Sequence, residues 1–128
     1  MKKWNNKRIL IVDDSKVVHA LMTQFITSRY PQIECVSVYN GEEAINFLQK
    51  GEDVALVLLD IMMPVMDGIE FLKQVKEGKI NLSAPIVVCS EADESLIKEA
   101  LSMGAVDRLR KPFKNTDLYE IIEKYLRT

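Results

Sequence analysis

Short apolar runs alternate with segments of helical period from one end of the chain to the other. Arg8-Ile-Leu-Ile-Val12 is a continuous apolar run, as expected for a parallel strand covered on both faces. Val18, Leu21, Met22, Phe25 and Ile26 then fall on one helix face, with Ser15 placed to cap that helix and Pro31 to stop it. On the same phase His19 lies off the stripe and reads as a solvated surface residue rather than a kinase-like phosphohistidine. Ile33 to Tyr39 is more mixed, which suits a sheet edge, and Asn40-Gly41 turns the chain into a helix carrying Ala44, Ile45 and Leu48 that Gly51 ends. Val54 to Leu59 is the most apolar run and is expected at the centre of the sheet.

A turn through Pro64 leads to a helix around Ile69, Leu72 and Val75, with Asp67 near its start, followed by a loop over Gly78 to Pro85. Ile86 to Cys89 predicts the fourth strand, and Leu96, Ile97, Ala100 and Leu101 a helix closed by Gly104. Val106 to Leu109 is a short last strand, after which Leu118, Ile121, Ile122, Tyr125 and Leu126 recur at helical spacing behind Asn115 as cap. Five strand–helix units predict an α/β fold, a doubly wound five-stranded parallel sheet with helices on both faces. Right-handed crossovers and the flavodoxin-like order 2-1-3-4-5 would set the first and third strands side by side. No linker, repeat or low-complexity segment interrupts the pattern, so residues 1–128 are expected to form a single domain.

Composition narrows the class of function. With 48% hydrophobic and 28% charged residues in 128, the chain is ordinary for a soluble domain able to bury one substantial core. A formal net charge of −2 gives no reason to expect nucleic-acid binding, and Lys2, Lys3, Lys7 and Arg8 read as a solvated tail. No apolar stretch approaches the ~20 residues of a membrane span, and the N-terminus lacks a secretory signal pattern. Cys35 and Cys89 sit inside strand-like runs and read as reduced, buried thiols, which with the rest points to the cytoplasm. Trp4 reads as a packing anchor, the methionines as core or loop filling, and Lys73, Lys76 and Lys79 as a solvated face.

The candidate chemistry sits where the predicted strands end. Asp13 and Asp14 close the first strand, Asp60 the third, Ser90 the fourth, and Lys111-Pro112 follows the last. In a doubly wound sheet these ends converge on one crevice. Three carboxylates there repel one another, and oxygen-only ligands suit Mg²⁺, with Mn²⁺ able to substitute. Because Mg²⁺ takes only one or two carboxylates plus a phosphate oxygen, a spare carboxylate can act as nucleophile and form an aspartyl-phosphate. Lys111 and Ser90 could supply the remaining contacts to a phosphoryl group.

Asp13-Asp14, Asp60 followed by Ile-Met-Met-Pro64, Asp67-Gly68, Ser90 and Lys111-Pro112-Phe113 resemble the receiver domain of two-component response regulators, chemotaxis-type regulators among them, over essentially the whole chain. The resemblance implies a phosphorylation-dependent signalling switch. Asp60 would accept a phosphoryl group from a phosphohistidine of a sensor histidine kinase or phosphotransfer protein. Asp14 and Asp60 would ligate Mg²⁺ directly, with the backbone carbonyl of Met62 as a further ligand and Asp13 acting through water. Ser90 would bond a phosphoryl oxygen, Lys111 would pair with the phosphoryl group, and the Lys111–Pro112 bond would be cis. Its enzymatic character would be confined to its own phosphorylation and dephosphorylation.

Two positions depart from the family pattern. Arg108 stands where an aromatic switch residue is usual, and Glu91 follows the switch hydroxyl where a small residue is usual. An ion pair between Glu91 and Arg108 is therefore expected to replace the burial of an aromatic ring. The departures also leave open a degenerate receiver that binds partners without phosphorylation. An aspartyl-nucleophile phosphohydrolase fits less well, because haloacid-dehalogenase-like enzymes carry Asp-x-Asp where this chain has Asp-Asp-Ser, and no cap is inserted. The face of the fourth helix, fifth strand and fifth helix is the expected output surface, made basic by Arg108 and Arg110 and suited to an acidic protein partner. Either a monomer or a phosphorylation-dependent dimer is compatible with it. The chain leaves no room for an output domain after Leu126, so it is expected to be a single-domain regulator acting by docking or a receiver excised from a longer protein.

Overall fold

The computed structural model of the chain describes residues 7–126, so Lys2, Lys3 and Trp4 lie outside the described residues. Five strands and five helices alternate: β1 (Arg8–Val12), α1 (Lys16–Arg29), β2 (Glu34–Val38), α2 (Gly41–Gln49), β3 (Leu56–Leu59), α3 (Gly68–Lys76), β4 (Ile86–Ser90), α4 (Glu94–Ser102), β5 (Asp107–Arg110) and α5 (Asn115–Leu126). All strand pairs are parallel and the order is β2-β1-β3-β4-β5, as the alternating pattern predicts.

Period-2 alternation within the buried strands divides the interior in two. Ile9, Ile11, Leu56, Leu58 and Val87 face α1 and α5, where Met22, Ile26, Leu118 and Ile122 meet them. Leu10, Val12, Val57, Leu59 and Val88 face the other way, onto Ala44, Leu48, Phe71, Leu72 and Ile97 of α2, α3 and α4. Fully burying such a side chain contributes about 1.5–3 kcal/mol, so both faces of the central strands are held firmly.

Capping chemistry sets the helix starts. Ser15, Asn40, Asp67 and Asp93 each accept a backbone N–H from the first turn of the helix they precede. Asn115 does not act as the expected cap: it is the first helical residue, and the Lys114 N–H instead donates to the Asp117 carboxylate. Arg8 is not part of a solvated tail either, since it opens β1 and pairs with Glu52 at 2.9 Å. Strand pairing in β3 begins at Leu56 rather than Val54, and β5 is shifted one residue onward, leaving Val106 exposed.

His19 requires a larger correction. Its ring is 4% exposed and shares an inward stripe with Met22 and Ile26, whereas Leu21 faces solvent. The inward face of α1 is thus centred on positions 19, 22 and 26, and its first turn lies against Tyr39 beyond the end of β2.

Candidate functional site

Register brings the chemistry together. Val12 pairs with Leu59, so Asp13 and Asp60, each one residue further, leave the sheet side by side, and the Asp60 N–H donates to the Val12 carbonyl at 2.8 Å. Ser90 pairs with Arg110, which sets Lys111 just beyond the hydroxyl. Asp13, Asp14, Asp60, Ser90, Glu91 and Lys111 line one cleft of about 520 Å³ at the carboxyl ends of the strands. This is where α/β sheets of this type bind ligands.

Asp13, Asp14 and Asp60 each offer an oxygen within 4.8 Å of the others. Asp13 and Asp60 are buried and Asp14 is exposed, so the cluster opens to solvent on one side. Such a set of hard oxygens fits an Mg²⁺-sized cation that keeps part of its water shell. The Lys111 ammonium lies 2.5 Å from Asp13 Oδ2 and 3.6 Å from Asp60 Oδ2, so one cation balances two buried carboxylates.

Burial pushes the Asp60 carboxyl above its ordinary pKa, and the neighbouring Asp13 charge adds to the rise. Lys111, the Ser90 hydroxyl and the Met62 N–H oppose it by stabilising the anion. For Lys111, burial acts downward, but the hydrogen bond to Asp13 and the charges of Asp60 and Asp13 prevail, and the net shift is upward. Asp60 is therefore a partly desolvated carboxyl group whose few donors, Lys111, Ser90 and the Met62 N–H, act on the side of the anion.

Two glycines bring backbone against this site. A Cβ on Gly68 would run into the Asp60 carbonyl oxygen, and one on Gly41 would lie 2.8 Å from the Met66 carbonyl oxygen. The Gly68 N–H donates to the Ile61 carbonyl and the Gly41 N–H to that of Met66, so the loop between β3 and α3 is fastened at both ends. Within that loop Val65 adopts φ +69°, a left-handed conformation unusual for a β-branched residue. Sequence reasoning passed over both close approaches, because spacing alone does not show which backbone lies against a glycine.

Ser90 is buried, accepts the Ala92 N–H at 3.1 Å, and contacts Asp60 through its hydroxyl. Lys111–Pro112 is cis. The expected pairing of Glu91 with Arg108 is replaced by another. Arg108 Nη1 reaches both oxygens of Glu94, at 2.7 and 2.6 Å, and Arg110 also pairs with Glu94, while Glu91 is exposed at the cleft rim. The hydrogen bond from Arg108 is the main influence holding the Glu94 carboxyl below its ordinary pKa. Glu94 opens α4 and can meet both arginines of the neighbouring strand, whereas Glu91 lies one loop earlier. The face of α4, β5 and α5 is accordingly a network of paired charges, with Lys124 and Tyr125 on Asp107, rather than a basic patch. Cys35 and Cys89 are free thiols, Cys89 buried and Cys35 half-buried, and burial pushes Cys35 up to about 11.

Residues 9–123 match the response regulator receiver domain family. The sequence is 35% identical over 124 residues to the "Probable C4-dicarboxylate response regulator DctR" of Bacillus subtilis, covering 97% of this chain but only 53% of that protein, so it spans about half the length of this relative. It is 34% identical over 122 residues to sporulation initiation phosphotransferase F of Bacillus subtilis, covering 94% of each. The chemotaxis protein CheY4 of Vibrio cholerae superposes with a TM-score of 0.80 at 27% identity, over 93% of this chain and 98% of that one.

Proposed function

The chain belongs to the response regulator receiver domain family, and from that premise we propose that it is a phosphorylation switch whose phosphoacceptor is Asp60. The observation that carries this reading is the buried Asp60 carboxylate held beside Lys111, with Asp13 and Asp14 oxygens within 4.8 Å. The donor is a phosphohistidine on a sensor histidine kinase or a phosphotransfer protein. An Asp60 oxygen attacks phosphorus in line, the new O–P bond forms as the N–P bond breaks, and the electron pair stays on the departing imidazole nitrogen. Asp14, Asp60 and the Met62 carbonyl, with Asp13 through water, would hold Mg²⁺ or Mn²⁺, which when bound would supply charge neutralisation at the phosphoryl oxygens.

The protein's own groups do the rest. Lys111, drawn upward in pKa by its carboxylates, stays cationic and swings from Asp13 toward the incoming phosphoryl oxygens. Ser90 exchanges its contact with Asp60 for one with a phosphoryl oxygen. Because Ser90 also holds the Ala92 N–H, that exchange reaches the loop into α4, where Glu94 bridges to Arg108 and Arg110. The output is thus an altered α4, β5 and α5 face, read by a protein partner, and turnover at Asp60 is limited to its own phosphorylation and hydrolysis. We take residues 1–128 as one receiver domain working in the cytoplasm; no helix among the described residues is long and apolar enough to cross a membrane.

Intact-mass measurement after incubation with acetyl phosphate, with and without Mg²⁺, tests the reading on wild type and Asp60→Asn. One Mg²⁺-dependent phosphoryl adduct, absent from the variant, is expected. A folded, cation-binding protein that takes no adduct would overturn it in favour of a receiver that binds its partners without phosphorylation.

A further inference from the structure

His19 is the one buried titratable side chain that the phosphoryl chemistry does not use among the buried polar residues Asp13, His19, Asp60 and Ser90. Its Nε2 lies 2.7 Å from the backbone carbonyl oxygen of Asp13. A carbonyl oxygen only accepts, so Nε2 carries the proton and donates it. Nδ1 is buried with no partner among the described residues, a cost that an apolar side chain of similar size would avoid. Packing alone therefore does not account for an imidazole here; the contact through Nε2 does.

That contact falls on a sensitive peptide. The Asp13 carbonyl belongs to the peptide joining Asp13 to Asp14, the exposed member of the carboxylate cluster. Asp13 itself is held at three other points: its N–H donates to the Val38 carbonyl at 3.2 Å, Oδ1 accepts the Ser15 N–H at 2.8 Å, and Oδ2 accepts Lys111 at 2.5 Å. The His19 bond adds a fourth point, on the peptide that leads into Asp14, whose rotation would swing the Asp14 carboxylate relative to Asp60. The ring is in turn positioned by Tyr39, with centroids 4.5 Å apart, and by the Ser15-capped start of α1, where the His19 N–H donates to the Ser15 carbonyl at 3.1 Å.

We propose that His19 is a positioning residue for the cation site, holding the Asp13–Asp14 peptide so that the Asp14 carboxylate faces Asp60. The inference rests on the reading of the carboxylate cluster as a cation site. Outer groups that orient metal ligands commonly matter by one to two orders of magnitude in affinity.

The test is Mn²⁺ binding, followed as free Mn²⁺ by electron paramagnetic resonance, in wild type, Asp14→Asn and three His19 variants. His19→Leu and His19→Phe keep apolar bulk and remove the donor; His19→Gln can return an amide N–H near the place of Nε2. Expected is a loss of about tenfold in Mn²⁺ affinity for the Leu and Phe variants, with the cation-free melting temperature maintained and affinity restored in His19→Gln. Wild-type affinity in a folded Leu or Phe variant, with binding lost in Asp14→Asn, would overturn the role of His19 alone. So would affinity losses that follow the cation-free melting temperature across all three variants, Gln included, because that is the mark of a merely structural part. Wild type that binds no Mn²⁺ would overturn the cation-site reading itself, and the inference with it.

Discussion

At Asp60 two demands meet under the proposed role: accepting a phosphoryl group needs an anion, while burial and the Asp13 charge favour the protonated acid. Its pKa is raised in the folded state above the roughly 3.9 of an unfolded chain. Such a group contributes full stability below the unfolded pKa, and that contribution is lost as pH rises through the folded pKa. At neutral pH the ionised carboxylate thus costs stability. Asp60→Asn is expected to raise the melting temperature of the cation-free protein at neutral pH, by roughly 4 °C for each ~1 kcal/mol relieved. The gain should shrink as pH falls toward about 4, which thermal melts across that range would follow. Lys111 gives the opposite expectation. Lys111→Met leaves Asp13 and Asp60 without their shared counter-charge and should destabilise by about 3 kcal/mol, partly recovered on adding Mg²⁺; denaturant titrations with and without the cation would measure both. At this scale the meeting of Asp13, Asp14, Asp60, Ser90 and Lys111 in one cleft was legible from their places at strand ends. Their pairings were less so: Arg108 finds Glu94 rather than Glu91, and His19 lies inside, because one helical turn or one loop decides such contacts.

Among the elements, the loop from β3 to α3 is shaped by absent side chains. At Gly68 every atom that a Cβ would strike is backbone, which cannot rotate aside; at Gly41 it would meet the Met66 carbonyl oxygen together with the Met66 side chain. Gly68→Ala is accordingly expected to cost about 2 kcal/mol or more and to slow phosphorylation of Asp60 by moving its carbonyl; Gly41→Ala should fall in the same range. Denaturation midpoints and initial rates of adduct formation would check the pair. Element order and type followed from apolar runs and helical stripes, since both core faces need them. Boundaries followed less well. Val54 and Val106 are as apolar as strand residues, yet parallel pairing starts two residues after the first and one after the second. The cap of α5 went astray because Asn115 has the right chemistry one position too late.

For the whole molecule, the carboxylate ends of β1 and β3 make stability depend on what occupies the cleft. A cation that binds only the folded chain adds about 2.7 kcal/mol at a concentration one hundred times its Kd. Saturating Mg²⁺ should therefore raise the melting temperature of wild type by several degrees and leave that of Asp14→Asn nearly unmoved. A wild-type curve that ignores Mg²⁺ would contradict this. The sheet order was legible because right-handed crossovers leave few ways to place two adjacent acids beside a third. What sequence could not display is how unevenly the cleft is walled. On the side of Met62 and Met66, main chain rests directly on main chain at Gly41 and Gly68. On the side of Ser90 to Glu94, apart from the Lys111 N–H on the Ser90 carbonyl, side chains do the holding: Ser90 to Ala92 and Glu94 to two arginines. The cleft is thereby built like a vice with one fixed jaw, and under the proposed function the motion that reports a phosphoryl group leaves through the other.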